Sequence, residues 1–296
     1  MKQYIYTDLA LERAGNLLKD KKGISEYTEE KIGDNLVCRL EIDSAELAEK
    51  YGRDPGTYVT VYCGKLWLAG KDDRENLASL LAEEIRNMAE KLTGKKITPE
   101  FRVLVAGLGN IEITPDAIGP KTVQKLTVTR HVTDNKPLFD ALGSCSVAAL
   151  SPGVLGQTGI ETVEFVRGAA ENTKPDVVIA VDALASRSLD RLASTIQLSN
   201  RGINPGSGIG NLRKAITEEN IGAPVIAVGV PTVVDSATLV CDALERAGIE
   251  VDEEKLSGVL DNERRFFVAP KESDIVTQAV AELLSAALDE AFYAEK

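Results

Sequence analysis

The sequence predicts an α/β fold with a mostly parallel sheet and helices on both faces. Three observations point there. From residue 101 onward, apolar runs, Gly-rich loops and helical stretches follow one another repeatedly, as parallel strands joined by crossover helices do. The runs "FRVLVAG" and "PDVVIAVDA" are short and β-branched, as strands covered on both faces are. Before residue 98 the pattern differs, with strand-like alternation around helices. These observations divide a single domain, residues 1–296, into an N-terminal α+β elaboration at 9–98 and an α/β core at 99–296.

In chain order, "TDLALERAGNLLKDKK" at 7–22 has helical spacing, with Thr7 or Asp8 as its N-cap. The stretches "NLVCRLEID" and "GTYVTVYCGKLWL" alternate like strands around a short acidic helix, "SAELAEKYG". Residues 72–93 predict a long amphipathic helix on the stripe Leu77, Leu80, Leu81, Ile85, Met88 and Leu92. In the core, "FRVLVAG", "SVAALSPG", "PDVVIAVDA" and "APVIAVGV" read as strands. The segments "GIETVEFVRGAAENT" and "DSATLVCDALERAG", with a last stretch near 273–293, read as helices.

Composition narrows the function. The net charge is −12, from 46 acids against 34 bases. An acidic surface repels phosphate backbones, which argues against direct nucleic-acid binding. Nothing approaches the roughly 18 apolar residues of a membrane helix, and the N-terminus lacks a secretory apolar stretch; the expectation is a soluble intracellular chain. Cys38, Cys63, Cys145 and Cys241 are scattered without metal spacing and read as small buried hydrophobes. The single histidine, His131, leaves little for a histidine-rich zinc site.

Two acids stand out. Asp182 ends the apolar run Val177–Val181, where a carboxylate costs desolvation unless something pairs with it or uses it. It reads as an N-cap for "ALASRS", as a partner of Arg187, or as a catalytic group. Asp116, behind Pro115 in "GLGNIEITPDAIGPK", reads either as a stabiliser of the next helix's N-terminus or as a second catalytic group. Ligands of α/β sheets gather beyond the carboxyl ends of the strands, so parallel strands would bring both acids to one crevice. Two carboxylates there would share a proton, giving an acid and a base to drive water onto a carbonyl. Ser151, Thr158 and Ser207 sit in no GxSxG elbow, so a serine hydrolase is not indicated.

Six stretches, "TPDAIGPK", "VTRH", "SPGVLGQTGIET", "VDALASRS", "GINPGSGIGN" and "VGVPTVVD", together resemble the germination protease (spore protease) family, in the same order. The similarity runs from residue 7 to about 240. It implies a phosphorylase/hydrolase-like fold similar to the hydrogenase-maturation proteases. It also implies an atypical aspartic endopeptidase with catalytic Asp116 and Asp182, needing no cofactor or metal. The implied substrates are small acid-soluble spore proteins, cut after Glu or Asp and before an apolar residue and Ala. A homotetrameric zymogen, in the cytoplasm of the spore core, would remove residues 1–8 by self-cleavage between Asp8 and Leu9. The substrate's acid calls for a cation near the crevice, with Arg130, Arg187 and Arg213 as candidates.

Two other readings compete. A metal-dependent peptidase related to the hydrogenase-maturation proteases would use Asp116, Asp182 and His131 as ligands. "GLGN" followed by "TRH" is also similar to peptidyl-tRNA hydrolases, against which the acidic charge and the lack of a basic stripe speak.

Overall fold

The computed structural model describes residues 6–14, 26–204, 214–249 and 266–294. Arg213, residues 1–5 of the expected propeptide, the predicted first helix beyond residue 14 and most of "GINPGSGIGN" lie outside the described residues.

The described strands are β1 (Tyr27–Ile32), β2 (Asn35–Ile42), β3 (Gly56–Tyr62), β4 (Arg102–Gly107), β5 (Ser146–Leu150), β6 (Val177–Ala185), β7 (Thr195–Ser199), β8 (Val225–Asp235) and β9 (Phe267–Val268). They form one sheet in the order β1-β2-β3-β7-β8-β6-β4-β5, with β9 on β8. The parallel pairings join β5, β4, β6 and β8, and antiparallel pairings carry the sheet on through β7, β3, β2 and β1. The fold is α/β, and its sheet is mixed, parallel in the half that holds the acids. The reason is the link from β6 to β7. Residues 186–194 contain no crossover helix, only a 3-10 turn at Leu189–Arg191, so the chain comes back antiparallel.

The described helices are α1 (Ala10–Ala14), α2 (Ala45–Tyr51), α3 (Lys71–Thr93), α4 (Ile118–Lys125), α5 (Lys136–Leu142), α6 (Leu155–Thr158), α7 (Thr162–Thr173), α8 (Glu218–Ile221), α9 (Ser236–Arg246) and a C-terminal helix (Ser273–Ala291). Strand alternation sorts the core between the two faces. Val103, Val105, Ile179 and Val181 join Val37, Val59 and Val61 under α3 and the C-terminal helix, where Leu77, Leu81, Ile85 and Met88 form the buried stripe of α3. Leu104, Ala106, Val178 and Ala180 turn the other way, against Val163, Val166 and Ala170 of α7.

Helix α1 begins at Ala10, so neither Thr7 nor Asp8 is its N-cap. Asp8 instead bonds to Ala185, and Thr7 to the Leu9 N–H and the Glu12 carboxylate. Cys38, Cys145 and Cys241 are buried and Cys63 half-buried, and none is in a disulfide. Among the described residues, no helix is long and apolar enough to cross a membrane.

Candidate active site

Asp182 lies inside β6, which continues to Ala185. It is therefore a strand residue, not an N-cap, and it is only 4% exposed. Its register partner on β8 is Gly229, and its Oδ1 accepts from the Ala183 N–H at 2.9 Å. On the other side, Gly107 of β4 pairs with Val181, and the Leu108 N–H donates to the Val181 carbonyl at 2.8 Å. Leu108 thus stands beside the residue preceding Asp182.

Asp116 closes a 3-10 turn, Thr114–Asp116, that packs against β6 and β8. Its Oδ2 accepts from the Asn110 N–H at 2.7 Å, and the Thr277 hydroxyl of the C-terminal helix donates to the Thr114 carbonyl at 3.0 Å. Two glycines permit the arrangement. Gly109, at φ +109°, brings its Cα against the Asp116 main chain, where a Cβ would collide. Gly119 in the first turn of α4 lies flush on the main chain of Leu108 and Val181, leaving no room for a side chain. The Leu108–Gly109 step is thereby flanked by Val181–Asp182 on one side and Asp116 on the other. Asp116 lies beyond the carboxyl end of β4, and Asp182 lies in the carboxyl half of β6, the parallel neighbour of β4, on the side of the sheet where ligand crevices form.

The loop "SPGVLGQTGIET" folds as α6 and an ordered turn. The Gln157 side-chain amide donates to the Asn110 Oδ1 at 2.8 Å, so this loop supports the residue whose N–H binds Asp116.

Arg130 and His131 are not brought to the acids. Thr129 is tied to Val147, its N–H donating at 3.0 Å, and Val147 is level with Val103 and Val177 at the amino ends of their strands. From Val177 to Asp182 is roughly 16 Å at about 3.3 Å per strand residue. Arg130 and His131 follow Thr129 at that far end and are exposed. The ligand set Asp116, Asp182 and His131 is therefore not assembled, and these residues do not fit a shared metal ion. Arg187 turns away from Asp182 as well. Its Nε binds Asp242 at 3.1 Å and its Nη2 binds Glu245, both on α9. Burial pushes the Cys63 and Cys145 thiols up to about 12, which disfavours a thiolate at those two positions.

The described N-terminal segment lies against the end of β6. The Asp8 N–H donates to the Ala185 carbonyl at 2.9 Å, and the Ala185 N–H donates to Asp8 Oδ2 at 2.8 Å. Arg53 Nη2 donates to the Asp8 carbonyl oxygen, and the Tyr6 hydroxyl to Asp8 Oδ1. The Ala10 N–H reaches Gln197 Oε1 at 2.6 Å. Leu9 is 1% exposed. Tyr6 and Asp8 line a cleft of about 510 Å³ with Arg53, Tyr58, Gln197, Leu184 and Gly229. Gly229 is the register partner of Asp182, and Leu184 lies two residues beyond Asp182 on the same strand face. Burial pushes the Tyr58 phenol up, keeping it a neutral group. A larger cavity, about 1940 Å³, opens between β1–β3 and α3 and is lined by neither acid.

Arg53 and Gln197 carry no sequence signal. Arg53 follows the Gly that ends α2 and reads as a solvated loop residue, and Gln197 sits in a short strand just before the Gly-rich stretch that starts at Gly202.

The family model described as germination protease matches residues 6–258. The chain belongs to the germination protease family. It is therefore a hydrolase, a protease of germination. Germination protease of Caldanaerobacter subterraneus subsp. tengcongensis is 44% identical over 84% of this chain and 75% of its own length. That of Oceanobacillus iheyensis is 44% identical over 81% of this chain and 67% of its own. That of Clostridium acetobutylicum is 39% identical over 91% and 81%. A solved nickel–iron hydrogenase maturation protease, HycI of Thermococcus kodakarensis, aligns with 67% of this chain and 97% of its own at 17% identity and a TM-score of 0.37.

Proposed function

We propose that this germination protease is an endopeptidase in which Asp116 and Asp182 act as a coupled pair on the scissile peptide. The observation that carries this reading is their place on either side of the Leu108–Gly109 step, Asp116 beyond β4 and Asp182 in the carboxyl half of the parallel neighbour β6. One carboxylate takes a proton from water as it attacks the carbonyl carbon. The other gives a proton to the carbonyl oxygen or the departing amine.

The substrates in this reading are the small acid-soluble spore proteins of the spore core, cut after an acid and before an apolar residue and Ala. The chain's own Asp8-Leu9-Ala10 has that order. Self-cleavage between Asp8 and Leu9 would release residues 1–8 from a homotetrameric zymogen.

Asp116→Asn and Asp182→Asn keep side-chain volume while removing a proton-transfer partner. Each is expected to lower metal-free cleavage of an acid–apolar–Ala peptide by several orders of magnitude, with the circular dichroism spectrum unchanged. His131→Ala should remain close to wild type. Purified wild type should acquire a new N-terminus at Leu9 that Asp182→Asn alone does not. Near-normal turnover by either Asn variant would sink the coupled pair; loss of activity in His131→Ala would restore the metal reading.

A further inference from the structure

Residues 6–8 belong to the segment that the proposed function removes, and Leu9 and Ala10 stay behind it as the new N-terminus. We infer that residues 6–10 fill the substrate groove, and that Arg53, the Ala185 main chain and Gln197 bind the acid–apolar–Ala stretch of a substrate once residues 1–8 are released and the new N-terminus at Leu9 withdraws. The assignment rests on the proposed cleavage order, and its geometry is independent of the two acids.

Three features support it. First, the Asp8–Ala185 contact is reciprocal. The main-chain N–H of Asp8 donates to Ala185, and the Ala185 N–H donates to the Asp8 carboxylate. An extended substrate with an acid at that position repeats both bonds, and Asn or Gln in place of the acid loses a charge-assisted one. Second, Arg53 holds the carbonyl oxygen of Asp8, the oxygen of the bond to be cut. A guanidinium there positions that carbonyl and favours the negative charge it gains when water adds. Third, Gln197 Oε1 accepts the Ala10 N–H at 2.6 Å, two residues along, so the chain is gripped on both sides of Leu9. Leu9 itself is buried and Ala10 is fully enclosed. That enclosure suits an apolar residue followed by a small one and leaves no room for a larger residue after it.

Arg53 and Gln197 border the same cleft, which also takes in Leu184, the neighbour of Ala185, and Gly229, the register partner of Asp182. In the full chain a substrate therefore competes with a tethered copy of its own recognition sequence. A flexible tether supplies an effective concentration in the millimolar range, enough to exclude a weakly bound peptide.

The test is peptide binding, read apart from turnover. A fluorescent peptide carrying Asp-Leu-Ala is titrated by anisotropy into full-length chains in an Asp116→Asn background. Asp8→Ala weakens the tethered segment and is expected to tighten peptide binding at least tenfold over the background chain. Adding Arg53→Met to Asp8→Ala should cancel that gain, and Gln197→Ala should reduce it severalfold. A peptide with Asn for Asp should bind at least tenfold more weakly to Asp8→Ala. No gain in Asp8→Ala would overturn the groove assignment. Equal binding with and without Arg53→Met would remove Arg53 from it, and indifference to Asp or Asn would remove the acid subsite. Cleavage of the peptide in this background would count against the Asp116–Asp182 pair while leaving the groove standing.

Discussion

Glu12 gathers four partners. Its carboxylate, 4% exposed, accepts from the Arg187 N–H at 2.7 Å, the Ser188 N–H at 3.2 Å, Arg191 Nε at 3.1 Å and the Thr7 hydroxyl. It therefore fastens α1 to the turn that follows β6, two residues beyond the Ala185 contact of Asp8. Thr7 in turn accepts from the Leu9 N–H at 3.1 Å. Removing the carboxylate strands two main-chain amides and a guanidinium, and breaking a buried charged contact of this kind costs about 3 kcal/mol. Glu12→Ala is thus expected to lose about that much stability in urea unfolding, and Glu12→Gln, which keeps one acceptor oxygen, roughly half as much. Equal stability of Glu12→Ala and wild type would show that the turn is held by something else. Glu12 stands three residues after Leu9, the N3 position from which a glutamate reaches back to a helix start. That local spacing is visible in the sequence. The contacts to Arg187, Ser188 and Arg191 are long-range and have no local signature.

Among the elements, β4 and β6 set the crevice, and Asp176 sets their relative height. Its N–H donates to the Arg102 carbonyl at 2.7 Å while its Oδ2 accepts from the Arg102 N–H at 2.8 Å, and Lys95 Nζ lies 2.5 Å from Oδ1. Burial pushes the Asp176 carboxyl up, but Lys95 and the Arg102 N–H outweigh it and hold the group below the ordinary carboxylate value. The folded state then binds fewer protons than the unfolded one near pH 4. The stability from Asp176 is complete above the unfolded carboxylate's pKa and is lost as pH falls through the lower folded value. Asp176→Asn should therefore be clearly less stable than wild type at pH 7, with the gap narrowing toward pH 3 in urea titrations; a constant gap would refute the linkage. Strands β4, β5, β6 and β8 are legible in the sequence because each is built on a short apolar run, and β4 and β5 are followed by Gly-containing loops. The strand β7 is not. "TIQLS" is five residues, mixed in polarity, and owes its state to pairing with β3 and β8 on either side. Asp116 and Asp182 are legible as acids that follow apolar runs, whereas the docking of Asp8 on Ala185 depends on a contact across 177 residues.

At the scale of the whole molecule, β7 is the hinge between two kinds of sheet. Its antiparallel pairing with β3, from Tyr58 opposite Ser199 to Tyr62 opposite Thr195, joins the N-terminal elaboration to the parallel half. One apolar cluster runs beneath the join, holding Val59 and Val61 with Val105, Ile179 and Val228 under α3 and the C-terminal helix. Ile85, fully enclosed on α3, sits in that cluster. Trp67, the only tryptophan, is half-buried against the same cluster, on the elaboration's side. A core shared in this way predicts one cooperative unit, not an elaboration that melts ahead of the α/β core. Ile85→Ala should cost about 3 kcal/mol, the usual range for emptying a closed aliphatic site. The loss should move the Trp67 fluorescence transition and the far-ultraviolet circular dichroism transition by the same amount of urea. Coincident transitions before and after the substitution are the signature of a two-state chain. If fluorescence moves while circular dichroism keeps a second, unmoved transition, residues 9–98 unfold on their own and the single-domain expectation fails.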